Sequence, residues 1–179
     1  GDKIRSHHIL KRLAQMGRVH VGTFADDARD IGFLGELQQL AASAHVEIRT
    51  KPQWLAGVEA LASGAPVSVK SFASASMAKW VAQTIEARGI TDIFVFSGQM
   101  AQYVPEDFSG RFIMDFVDVD SAKFESYAGE GNMLMRWVNA REGRKLAAFE
   151  AEIAARADAS LFVSEAEAAL FRERSGADN

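Results

Sequence analysis

Apolar side chains at Ile9, Leu10, Leu13, Ala14 and Met16 recur at three- and four-residue steps, which predicts a helix from Asp2, whose carboxylate can cap it, to Gly17. Residues 18–24, RVHVGTF, alternate polar and apolar at first and are rich in β-branched side chains, the pattern of a strand. Ile31, Leu34, Leu37 and Leu40 then predict a helix across 27–44, and HVEIRT at 45–50 a second strand. Trp54, Leu55, Val58 and Leu61 mark a short helix ending near Gly64, ahead of Pro66. From Met77, the positions Trp80, Val81, Thr84 and Ile85 outline an amphipathic helix that Gly89 can close.

Two continuous apolar runs follow, DIFVFS at 92–97 and RFIMDFVDV at 111–119, as expected of strands covered on both faces. A long helix is predicted from Leu134 to Arg156, with Trp137, Val138, Leu146, Phe149 and Ile153 turned inward and Gly143 weakening its middle. SLFVS at 160–164 reads as the last strand, and Ser164 with Glu167 forms a capping box opening a last helix through Leu170 and Phe171. Strands alternating with helices imply an α/β, Rossmann-like, doubly wound and mainly parallel sheet. Ligands of such sheets collect at the carboxyl ends of the strands.

The chain has 179 residues, 48% of them hydrophobic, which is enough for one ordinary domain and too little for a second full one. Its 24 acidic and 20 basic residues contain no basic block, so nucleic acid is not an expected partner. No cysteine is present, which removes disulfides and thiolate chemistry and fits a reducing, cytoplasmic setting. No apolar run approaches the roughly 20 residues of a membrane span. The first residues, GDKIRSHH, lack an initiator Met and the last, RERSGADN, stop straight after a helix, so the chain reads as a fragment of a longer protein.

Asp115, Asp118 and Asp120 crowd the end of the 111–119 strand. In extended backbone Asp118 and Asp120 share a side while Asp115 faces the other way. Helix capping and solvation, substrate or catalytic use, and an Asp-x-Asp cation site all fit that pattern. His7, His8, His20 and His45 lack zinc-helix spacing and read as surface or packing residues. Glycine-rich nucleotide loops and the nucleophile elbow of serine hydrolases are missing, which argues against a dinucleotide enzyme, a nucleoside triphosphatase and a serine hydrolase. Gly1, Lys3 and Arg5 at a helix start can cradle an anion or simply be solvated. Ser97 and Gln99 follow a strand directly, where a ligand loop is expected, although Met100 and Val104 behind them fit a core and Tyr103 a half-buried place.

Together GDKIRSHHILKRLA, VFSGQMAQYV, DFVDVDSAKF and REGRKLAAFEAEIAARADASLFVSEAEAALF resemble the N-terminal half of bacterial glycosyltransferases associated with exosortase (PEP-CTERM) systems and exopolysaccharide synthesis. Those enzymes are retaining transferases of GT-B architecture, with two Rossmann-like domains facing across a cleft. The resemblance spans nearly the whole chain. It implies that residues 1–179 are one acceptor-side domain, with a first strand before Gly1 and a nucleotide-sugar domain after residue 179 missing. A sheet without its central strand would be repaired or would associate into a homo-oligomer. The implied substrates are a nucleotide-sugar donor and a saccharide or lipid-linked acceptor, with no cofactor and no metal, and a peripheral contact at the inner face of the membrane is compatible with such acceptors. Related enzymes often carry a His where this chain has Asp118. The resemblance thus assigns Asp118 to the donor sugar or acceptor hydroxyl, Asp120, Ser121 and Lys123 to the acceptor loop, and Gly1, Lys3 and Arg5 to the diphosphate side. The rival classes are a non-catalytic interaction module and a phosphoryl-receiver-like domain, and the latter needs a lysine after the last strand, where FVSEAEAAL has none.

Overall fold

A computed structural model describes residues 2–25, 32, 34–129, 131–177 and 179, with the side chains of residues 2, 3 and 34 outside that description. The chain divides into two compact units, Gly1–Thr50 with Ser74–Ile90, and Lys51–Ala73 with Thr91–Asn179. In the first, α1 (Asp2–Met16) precedes β1 (His20–Ala25), α2 (Leu34–Leu40) and β2 (Ser43–Ile48), and α5 (Ala75–Arg88) completes the unit. β1 and β2 pair in parallel, His20 against Ser43 through Ala25 against Ile48.

The predicted helix over 27–44 is shorter than its periodicity allows, because the Ala42 amide donates to the Val19 carbonyl at 2.7 Å and draws the chain into the ladder with β1 two residues early. Residues 27–31 and 33 of that prediction lie outside the described residues. α5 begins on the Ser74 hydroxyl, which accepts from the Met77 amide, and packs across β1 where Gly22 leaves room. A Cβ on Gly22 would stand 2.9 Å from Met77 Sδ and 3.1 Å from the Trp80 ring.

The second unit holds α3 (Gln53–Ser63), α4 (Val67–Ser71), β3 (Asp92–Phe96), β4 (Arg111–Val117), α6 (Asp120–Tyr127), α7 (Met133–Arg156), β5 (Ala159–Phe162) and α8 (Glu165–Ser175). Its sheet has the order β3-β4-β5, parallel throughout. Among the described residues the fold is therefore α/β with parallel strands, in two small sheets of two and three strands. Val95, Met114, Phe116, Ile153 and Phe171 form the core of this unit, and the Phe116, Phe162 and Phe171 rings stack within 4.8 to 5.5 Å of one another.

α7 runs unbroken through Gly143, because the glycine is the point where α6 lies closest. A Cβ there would stand 2.9 Å from Glu125 Cγ and 3.3 Å from the Ser121 carbonyl oxygen. The residue that costs helix propensity thus admits a neighbouring backbone. Gly143→Leu is expected to destabilise the unit by about 2 kcal/mol through overpacking, seen as a lower urea midpoint at unchanged slope.

The inward face predicted for α7 is correct at Leu146 and Ile153, which are buried. Trp137 is corrected: it is exposed, because α7 presents the opposite face to the sheet.

Candidate functional site

The tips of β3 and β4 are shaped by two residues in the left-handed region, Ser97 (φ 74°) and Val117 (φ 71°). For a β-branched residue such as Val117 this backbone is strained by about 1–3 kcal/mol, and it persists only where neighbours over-determine it. They do so here. Asp115, fully buried, accepts the Val117 amide on Oδ1 at 3.1 Å, where the β4–β5 register shifts between Asp115 and Val117. The Val163 amide donates to the Val117 carbonyl at 2.9 Å, and the Val119 amide donates to Glu167 Oε2 at 2.8 Å. The Glu167 carboxylate braces this turn, while Ser164 alone caps α8 by accepting the Glu167 amide at 3.2 Å. One half of the capping box read from the sequence is put to another use.

This bracing leads from β4 into α6 at Asp120 and sets a row of polar side chains across the two tips. Ser97 Oγ donates to Gln99 Oε1, and Gln99 Nε2 donates to Asp120 Oδ2 at 3.1 Å. Lys123 Nζ, one turn into α6, donates to Asp120 Oδ1 at 3.2 Å and to Asp118 Oδ2 at 2.8 Å. Asp118 and Asp120 are therefore joined by an ammonium, through the turn into a helix rather than through strand alternation. Burial works to lower the Lys123 pKa, and the bonds from Asp118 and Asp120 overcome it and hold the ammonium above its ordinary value. Side-chain exposures of 35% for Asp118, 29% for Asp120 and 47% for Lys123 leave the row open to a ligand.

Five predicted site residues, Ser97, Gln99, Asp118, Asp120 and Lys123, thus form one hydrogen-bonded row. Ser121 lies beneath it, buried, its amide donating to Glu150 Oε1 at 3.1 Å, so it anchors the turn rather than lining the surface. Arg5 is half-buried on α1 in the first unit. Gly1 and the Lys3 side chain lie outside the described residues. Among the described residues no group of His, Asp and Glu could hold a metal ion, and Lys123 fills the position between Asp118 and Asp120 that a cation would take.

Chemically, two carboxylates fixed by one lysine present several unused lone pairs at set positions, suited to accept hydrogen bonds from neighbouring hydroxyls of a polyol. A cavity of about 140 Å³ lies at the opposite end of β4, lined by Val104, Pro105, Phe108, Phe112 and Arg156. There the Arg156 guanidinium is already engaged by the Val104 and Pro105 carbonyls at 3.0 and 2.9 Å. In the first unit His45 stacks on Trp80 and shares Nε2 between Glu47 Oε1 at 2.7 Å and Ser76 Oγ at 3.3 Å. A carboxylate and a hydroxyl on the same nitrogen cannot relay a proton from one to the other, so this trio packs the unit.

Sequence reading missed Glu142 and Glu150 and gave Glu167 only a capping-box place, whereas all three carboxylates hold backbone amides of distant turns. Their spacing along α7 and α8 looks like ordinary helix surface, and only Glu167, three residues after Ser164, had a pattern to find it by. No family model, curated protein or solved structure matches the chain.

Proposed function

We propose that this chain is the acceptor-side, N-terminal domain of a GT-B retaining glycosyltransferase of the exosortase-associated kind. In this reading the whole enzyme moves a sugar from a nucleotide-sugar donor to a saccharide or lipid-linked acceptor in exopolysaccharide synthesis. The observation that carries the reading is the Ser97–Gln99–Asp120–Lys123–Asp118 row across the tips of β3 and β4, half-exposed and built to accept from hydroxyls.

Within it, Asp118 accepts a hydroxyl of the reacting sugar or acceptor. Lys123 holds that carboxylate aimed, and Gln99 with Asp120 fixes the rim. The resemblance alone gives the donor's diphosphate to the partner domain and to Gly1, Lys3 and Arg5. Asp118→Asn keeps the shape and removes the charge that Lys123 holds. In the enzyme that contains this chain it is expected to lower sugar transfer at least tenfold, about 1.4 kcal/mol of transition-state binding. Transfer within twofold of wild type would remove the assignment.

A further inference from the structure

We propose that the outward faces of α7 and α3 form a docking surface for an anionic lipid bilayer. At 3.6 residues per turn, Met133, Leu134, Trp137, Arg141, Arg144 and Lys145 fall within an arc of about 120°, opposite the buried face at Glu142, Leu146, Glu150 and Ile153. The first three are exposed by 87%, 68% and 54%, far more than an ordinary helix surface requires of such side chains. α3 repeats the arrangement. Ala56 and Ala60 are buried, while Trp54, Val58 and Leu61 on the other side are exposed. Arg141 ties the two helices together, its Nη2 donating to the carbonyls of Ala60 at 2.9 Å and Ala65 at 3.3 Å.

Charge selects the occupant. α7 carries five cations, Arg136, Arg141, Arg144, Lys145 and Arg156, against three carboxylates, of which Glu142 and Glu150 are buried and Glu152 is exposed on the same arc. The carboxylate of α3, Glu59, is already neutralised by Lys51 at 2.8 Å. A second copy of the chain meeting this surface about a twofold axis would set cations against cations. An anionic headgroup layer instead satisfies them, while indole and thioether side chains enter the acyl boundary. This surface is carried by side chains apart from the polar row, so it stands or falls separately from the glycosyltransferase reading.

The test is flotation of the chain with vesicles of phosphatidylcholine alone and with about a third phosphatidylglycerol, together with tryptophan emission. The expected result is at least fivefold more protein on the anionic vesicles, a blue shift on binding, and loss of binding in 0.5 M salt. Leu134→Ser with Trp137→Ser, and separately Arg144→Glu with Lys145→Glu, should each reduce that binding at least fivefold, whereas Arg12→Glu on α1 should leave it within twofold. These side chains are exposed, so circular dichroism should show the variants folded. Equal binding to both vesicles, binding to neither, binding that survives the charge reversal, or a concentration-dependent dimer abolished by the same variants would overturn the proposal.

Discussion

Glu142→Ala is expected to cost about 3 kcal/mol of folding stability, because it leaves two half-buried amides and a hydroxyl without acceptors. Glu142 is buried in the middle of α7, and its two oxygens reach α4, far away in sequence. Oε2 accepts from the Val67 amide at 2.8 Å, and Oε1 from the Ser68 amide at 2.8 Å and the Ser68 hydroxyl at 2.6 Å. α4 has no local side-chain cap, since Pro66 stands where a cap would be, so a carboxylate from a distant helix supplies one.

Glu142→Gln keeps one acceptor oxygen but turns an NH₂ toward an N–H, and should lose roughly half as much. Ser68→Ala removes only the hydroxyl bond and should cost about 1 kcal/mol. The consequences extend to the site. The Val69 carbonyl of α4 accepts Gln102 Nε2 at 3.0 Å, and the Phe72 carbonyl just beyond accepts the Tyr103 hydroxyl. Both belong to the 3-10 turn Gly98–Tyr103, which carries Gln99. Urea denaturation of the three variants checks the order, and a loss under about 1 kcal/mol for Glu142→Ala would show that water replaces the carboxylate there.

The strands and most helices were legible because their causes are local. DIFVF and RFIMDFV are mostly apolar and lie in a sheet packed by helices, and Gly64 and Gly89 end α3 and α5 in the left-handed conformation. The strand-tip row was legible for the same reason, since Ser97 and Asp118 directly follow strands and a parallel sheet gathers such ends together. Its wiring was not. Lys123 unites Asp118 and Asp120 only because the chain turns helical at Asp120, which alternation along a strand does not foresee.

The faces of α3 and α7 were harder still. Trp54 and Trp137 carry the apolar weight that a periodicity argument turns inward, yet Ala56, Ala60, Gly143 and two glutamates occupy the inner faces. Close approach of neighbouring backbone favours small residues there, and distant amides call for carboxylates. Both depend on partners far along the chain.

Glu150 is the second such carboxylate, and its effect appears in how stability changes with pH. Burial pushes its pKa up to about 7; the bonds from Ser121 pull the other way, Asp120 adds to the rise and Arg174 opposes it. In the unfolded chain a glutamate titrates near its ordinary value of about 4.3. Between these two values the folded protein holds a proton that the unfolded chain has released, so stability falls as pH rises through this window and levels off above it. The full drop is about 4 kcal/mol. Glu150→Gln should be flatter across the same window and more stable than wild type at pH 8 by a similar amount. The amide oxygen can still accept from the Ser121 amide, and no charge then needs burying.

The ionised form has the stronger hold on that amide, which opens α6 beside Asp120. Above pH 7 the turn that positions Lys123 is thus gripped by a buried charge that weakens the rest of the unit. Urea midpoints at pH 5 and pH 8 for wild type and Glu150→Gln decide the matter: parallel pH dependence in the two proteins would place the titrating group elsewhere.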